Sequence, residues 1–387
     1  MGKKFLIELA IAMAGKVALA IAFGVQLNAA GTVAGLIAAA AAVTAVLGVA
    51  TAAAGSVNEV VGARCAIGLD GRAIGAAMAL SALAHIAAAA IVGAIAVAVG
   101  GVYTAYAMGA TAAYLMDVPV MPLLRVMRKQ GTAGRLWGLW SALGYALPIG
   151  VGSAALLWAD AVTPARIGAL MALSAVVGAL PCAIWARRNH AVALPSFDDV
   201  RGVVAEAAPL LVETATSAAC KAAMGAVLTR LALAAPTDGD TWGGVAELTA
   251  TCWMLAAQMG GVAGDRVQRA LGTAGEAAAW REFRRVMALS AAVWVVIAVA
   301  AAPIYGVSAW WALATLPKLL SALATRRLEA ARRWSDLAKC GVVANAVTLP
   351  VAALMAWAVP DAHLLTAVVA ITILWGAVNA AVGVTRG

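Results

Sequence analysis

Four ionisable residues set in apolar surroundings carry the chain's clearest chemical potential. Glu8 and Lys16 stand eight positions apart inside the apolar run Ile7 to Ala18. Glu213 and Lys221 repeat that spacing inside Val212 to Ala223. A carboxyl group shielded from water can bind and release a proton, which suits coupling to an ion gradient. An ammonium group in the same setting attracts an anionic ligand group, because Coulomb attraction is strong where the dielectric is low. A charge at the centre of a bilayer costs roughly 2.5–3.5 kcal/mol on insertion scales, so such residues are candidates for function by default. At a rise of about 1.5 Å per residue, Lys16 would lie about 16 Å along a helix entering at Phe5, and Glu8 about 12 Å nearer its start. A structural role stays open for each: the lysines pairing with acids on neighbouring helices, and Glu8 solvated near the surface.

The two pairs are offset by 205 positions, and other identities keep that register. Thr44 maps to Thr249, Gly55 to Gly260 and Arg64 to Arg269, while Gly68 and Gly71 map to Gly272 and Gly275 at an offset of 204. Acids, lysines and glycines in register point to an internal duplication, and paired hydrophobic halves are a signature of secondary transporters. The expected division is residues 1–200 and 201–387.

The elements that must position these residues follow from composition. The chain is 64% hydrophobic and 12% charged, where a soluble domain is about 25% charged. Lipid is therefore the expected solvent. Twelve apolar runs are long enough to span, since a crossing helix needs about 20 apolar residues. They are placed near 5–26, 31–56, 74–99, 102–123, 136–158, 165–186, 204–230, 242–263, 286–304, 307–324, 337–358 and 364–385. Their wealth of Ala and Gly predicts close helix seams. The N-terminal Met-Gly-Lys-Lys ahead of an apolar run resembles a signal peptide, but its register with Glu213 and Lys221 predicts a retained helix.

The net charge of +9 is concentrated at the two ends and in the connections 64–72, 125–135, 187–201, 266–285 and 318–339. The opposite connections hold only Arg166, and Arg230 at a helix end. That is the positive-inside pattern, with both termini cytoplasmic. The basic loops are assigned to topology and anionic headgroups rather than to nucleic acid. Trp137, Trp140, Trp185 and Trp334 near one face, and Trp158, Trp242, Trp310, Trp311 and Trp357 near the other, read as interfacial belts. Trp253, Trp294 and Trp375 lie deeper, and Trp253 is a candidate substrate contact. The five cysteines are scattered singly and read as packing residues.

Further polar candidates are Glu247 in helix 8 and Asp117, which precedes Pro119 and Pro122 in helix 4, where the prolines free backbone carbonyls. Asn58 and Glu59 close helix 2, His85 sits in helix 3, and Asn345 and Asn379 sit in helices 11 and 12. Gly-x-x-x-x-Gly-Lys-Ser/Thr does not occur in the sequence, so ATP hydrolysis through that phosphate loop is not expected. No His-rich or Gly-x-Ser-x-Gly constellation suggests an enzyme.

With these residues in view, the chain resembles the multidrug and toxic compound extrusion (MATE) transporters of the wider flippase-like superfamily. The loops Gly68-Leu-Asp-Gly71-Arg-Ala and Gly272-Thr-Ala-Gly275-Glu-Ala look like that family's Gly-Ala-Gly-Asn/Asp loop. Tyr114-Leu-Met-Asp-Val-Pro119 through Gly131-Thr is similar to its helix 4–5 region. Leu349-Pro350 is like its helix 11, and Pro209 with Glu213 like its helix 7. The resemblance implies an all-α polytopic membrane protein: twelve transmembrane helices as two parallel-repeat six-helix bundles with a central cleft. It implies a proton- or sodium-coupled antiporter exporting a small organic compound by alternating access, without cofactor, as a monomer in the bacterial inner membrane. Glu213, Glu8, Glu247 and Asp117 become candidate ion-coupling residues, and Lys16, Lys221 and Trp253 candidate substrate contacts. Lysines facing the cargo would make it acidic or amphoteric. The alternatives are a flippase for a lipid-linked precursor on the same fold, or a major facilitator superfamily efflux protein. The latter is suggested by Gly264-Asp265-Arg266 but disfavoured by the long polar stretch that follows.

Overall fold

A computed structural model describes residues 3–66, 68–234, 261–262, 264–265, 276–301, 316–360 and 363–386. Among them every regular element is a helix. These are α1 (Lys3–Gly31), α2 (Leu36–Arg64), α3 (Gly71–Val99), α4 (Gly101–Met116), α5 (Val120–Lys129), α6 (Gly131–Trp158), α7 (Pro164–Arg188), α8 (Phe197–Ala234), α9 (Glu276–Ala301), α10 (Leu316–Ala330), α11 (Trp334–Ala358) and α12 (Leu364–Arg386). Eight of the described helices are long and apolar enough to cross a membrane, and nine if α4 and α5 form one broken span. The chain is a multi-pass helical membrane protein. The expected span 242–263 lies almost wholly outside the described residues, and that at 307–324 partly so.

Local chemistry sets the helix ends. Asp70 caps α3 by accepting from the Ala73 N–H at 3.0 Å. Ser196 and Asp199 cap the start of α8 reciprocally: the Asp199 N–H donates to Ser196 Oγ at 3.2 Å and the Ser196 N–H to Asp199 Oδ2 at 2.8 Å. Each bond satisfies a donor that a helix start leaves orphaned. Gly100 and Gly101, at φ of +72° and +59°, turn α3 directly into α4, a conformation in which an L side chain is strained. The expected span 102–123 is broken rather than continuous. α4 ends before Asp117, Val118 and Pro119, and α5 leaves at a 43° bend. Prolines at 119 and 122 cannot donate to the preceding turn, so the ladder opens there.

The described chain divides into two compact units, Gly2–Ala207 and Ala208–Gly387. In the first, α6 packs against α1 and α7, α7 against α4, and α2 against α3, α4 and α5. Its apolar core gathers Val43, Leu47, Val92, Tyr103, Ile167 and Met171. Close seams occur where Ala and Gly were abundant. A methyl on Gly144 of α6 would stand 2.9 Å from Val177 O and 3.3 Å from Gly178 Cα of α7. One on Gly168 of α7 would stand 2.9 Å from Tyr106 O of α4. In the second unit α12 packs against α10 and α11.

The belt reading needs correction at two residues. Trp158 and Trp357 are exposed, but Trp185 and Trp334 are only 5% exposed. They fill inter-helix space instead of facing headgroups.

Candidate functional site

In the first unit Glu8 lies on α1 and is buried, 1% exposed. Its Oε1 accepts a hydrogen bond from Thr132 Oγ1, at the second position of α6, at 3.1 Å. The carboxylate thus sits by a helix N-terminus, whose partial positive charge favours an anion. The option of a solvated Glu8 is overturned, because the start of α6 covers it. Lys16, two turns further along α1, is half-buried and feels the field of Arg128 on α5. It makes no hydrogen bond or ion pair among the described residues. Asp117 occupies the break between α4 and α5. Nearby acids serve packing: Glu59 of α2 pairs with Arg125 of α5, and Glu206 accepts from Arg64 Nε at 2.7 Å. His85 is a core residue whose Nδ1 lies 2.7 Å from Ser81 O.

In the second unit Glu213 lies on α8 against Gly341 of α11, where a methyl would stand 2.7 Å from its Oε1. Two further rungs follow up the same pair of helices. Asn345 Nδ2 donates to Thr216 Oγ1 at 3.2 Å, and Cys220 Sγ meets Thr348 Oγ1 at 3.3 Å. Thr216 Oγ1 in turn donates to Glu213 O at 2.9 Å. The indole Nε1 of Trp375, on α12, donates to Asn345 Oδ1 at 2.9 Å. An indole can only donate, so this bond fixes which end of the Asn345 amide faces which partner. The result is a polar seam through three helices, with the Glu213 side chain at one end.

Rungs in the two units share a register. In the first, Gly15 approaches Ala142 and Gly150 approaches Ala22, partners 127 and 128 positions apart. In the second, the rungs at Glu213, Thr216 and Cys220 pair residues 128 or 129 apart. Both pairs of helices therefore run parallel with the same stagger.

Of the candidate residues, Glu8, Lys16, Asp117 and Glu213 are placed as above. Lys221 lies on α8 but its side chain is outside the described residues, as are Glu247 and Trp253. Among the described residues no group of His, Cys, Asp or Glu is arranged to hold a metal. The sequence named Asn345 and Trp375 only as isolated residues within helices. Their bond, and the bridge to Thr216, were not legible from spacing.

No family model matches the chain, and no curated protein matches it either. Solved structures do. The eukaryotic MATE transporter AtDTX14 superposes with a TM-score of 0.73 at 12% identity, over 99% of this chain and 93% of that one. An outward-facing multidrug resistance MATE family transporter of the MOP superfamily gives a TM-score of 0.70 at 14% identity, covering 100% and 98%. A MOP superfamily transporter from Pyrococcus furiosus, described as having a binding pocket of reverse polarity that suggests a different function, gives 0.71 at 14%, covering 100% and 98%. The resemblance drawn from the loop and helix motifs and the fold found by superposition agree: this chain has the fold of the MATE transporters of the MOP superfamily.

Proposed function

We propose that the protein is a secondary active transporter that moves a small organic compound by alternating access, driven by a proton or sodium gradient. The observation that carries this reading is Glu213. An ionisable carboxyl placed within a membrane-spanning helix is costly to keep there, and its side chain rests on the Gly341 backbone at the end of a polar seam. Glu213 takes the coupling role, with Glu8, Asp117 and Glu247 as further ion-coupling candidates. The proposed setting is a bacterial cytoplasmic membrane with both termini cytoplasmic. The proposed direction is export, the chain acting as a monomer without cofactor.

Lys16, Lys221 and Trp253 are proposed to contact the cargo. Lys16 has no ion-pair partner among the described residues and lies in the field of Arg128, so an acidic or amphoteric cargo fits better than a cation. The relative from Pyrococcus furiosus, described by the reversed polarity of its pocket, supports considering an anionic cargo on this fold.

The test is flux into proteoliposomes under separate proton and sodium gradients, with carboxyfluorescein as organic anion and ethidium as organic cation. The expected result is anion movement driven by one of the two gradients and lost in Glu213→Gln. Transport of both dyes at wild-type rates by Lys16→Ala and Lys221→Ala would remove the lysines from cargo recognition.

A further inference from the structure

The seam extends from Glu213 to the residues of α11 that face it. At the rung of Glu213 the facing residue is glycine, and the Glu213 side chain fills the space a side chain would need. A methyl at Gly341 would stand 2.7 Å from Oε1 and 2.9 Å from Cδ of Glu213. In the first unit the stagger of 128 places Leu136 at the matching register of α6. There the Glu8 carboxylate turns back by one helical turn to Thr132. Four residues beyond Gly341, and buried, Asn345 ties down the same stretch of α8. Its amide holds Thr216, whose hydroxyl donates to the Glu213 carbonyl at 2.9 Å. Trp375 fixes the amide from the other side at 2.9 Å.

We propose that Gly341 and Asn345 are positioning residues for Glu213: the glycine provides the seat for its side chain, and the asparagine locks the helical turn that presents it. This rests on the reading of Glu213 as the coupling carboxyl. A missing Cβ lets the glutamate lie along α11 instead of being pushed away from it. The hydrogen-bonded chain from Trp375 through Asn345 and Thr216 then fixes the α8 backbone at that rung, so little freedom is left to the carboxyl. The ionisable residues of α11 near this rung are Asp336, Lys339 and Cys340. Asp336 is held by Arg333 at 2.8 Å, Lys339 at 3.6 Å and Arg386 at 3.5 Å. On α8 itself the flanking ionisable residues are Glu206, seven positions before, and Cys220 and Lys221, seven and eight positions after. On α12 the only one is Arg386.

The test follows the carboxylic acid stretching band in the infrared spectrum of the full chain in liposomes as pH is varied, which requires no cargo. Glu213→Gln should delete one titrating band. If it deletes none, the coupling reading falls and this inference with it. Given that band, Gly341→Ala and Asn345→Ala should each move its midpoint by about one pH unit, a tenfold change in proton affinity. Ser321→Ala, which breaks the separate 2.8 Å bond from Ser321 to Asn379, should leave it in place. Glu213→Asp withdraws the carboxyl by one methylene, so Gly341→Ala should shift the midpoint less in that background than alone. A band that keeps its midpoint in both Gly341→Ala and Asn345→Ala overturns the positioning role while leaving the coupling reading intact. Should Gly341→Ala fail to assemble, Asn345→Ala decides the matter by the same midpoint.

Discussion

Trp375 of α12 and Asn345 of α11 are joined by an indole-to-amide hydrogen bond of 2.9 Å, and Asn345 is buried. The residues are thirty positions apart on separate helices. Trp375→Phe keeps most of the apolar area but leaves Asn345 Oδ1 without its donor. An orphaned buried acceptor costs about 1–3 kcal/mol. The purified variant should unfold at a lower temperature than wild type, and an unchanged midpoint would show that the bond contributes nothing.

Small residues bring α6 and α7 into close contact. Gly144 stands where any side chain would meet Val177 O and Gly178. Close approach through small residues is what holds helices together in lipid, where the hydrophobic effect does not drive their association. Gly144→Leu should therefore sharply reduce the yield of folded, monodisperse protein. Gly48→Leu, at a position where a Cβ would meet nothing within 4 Å, should be tolerated. Equal yields of the two would contradict the seam.

How far the sequence foretold this arrangement depends on whether the information was local. The freed carbonyls near Asp117 were legible because prolines act on their own helix, but the span was expected to run on, and the 43° bend between α4 and α5 was not foreseen. That Glu8, Lys16 and Glu213 lie within long apolar helices was legible because a charge within an apolar run stands out whatever surrounds it. The polar seam was not, because it joins residues 30, 128 and 129 positions apart on separate helices, and no periodicity records which helix faces which. The burial of Trp185 and Trp334 escaped for the same reason. A tryptophan near a helix end looks interfacial until the neighbour that covers it is known. Glu8 could be read as solvated only because α6, whose first turn binds it, begins more than 120 positions later.

The pair formed by Glu59 and Arg125 joins α2 to α5, and α5 is the short helix beyond the break. Removing either partner should destabilise the first unit, and removing both should cost less than the sum. The coupling energy expected for groups in direct contact is roughly 0.5–3 kcal/mol. A double-mutant cycle with Glu59→Ala and Arg125→Ala, read by chemical denaturation, measures it. Strict additivity would make the pair incidental.

The proposed orientation can be read from outside the cell. Leu194, between α7 and α8, is 93% exposed, and Asp160 lies between α6 and α7 at the opposite end of α7. In a cysteine-free background, Asp160→Cys should react with a membrane-impermeant maleimide in intact cells, whereas Leu194→Cys should react only after lysis. The reverse pattern would place the basic connections outside and invert the topology.

The coupling role of Glu213 is tested most directly by separating exchange from accumulation in proteoliposomes. Wild-type protein should concentrate the transported dye against its gradient when a proton or sodium gradient is imposed, and should also equilibrate labelled against unlabelled dye without one. Glu213→Gln should keep the equilibration at a rate near wild type and lose the accumulation. Accumulation at the wild-type level by Glu213→Gln, under the gradient that drives the wild type, would contradict the account.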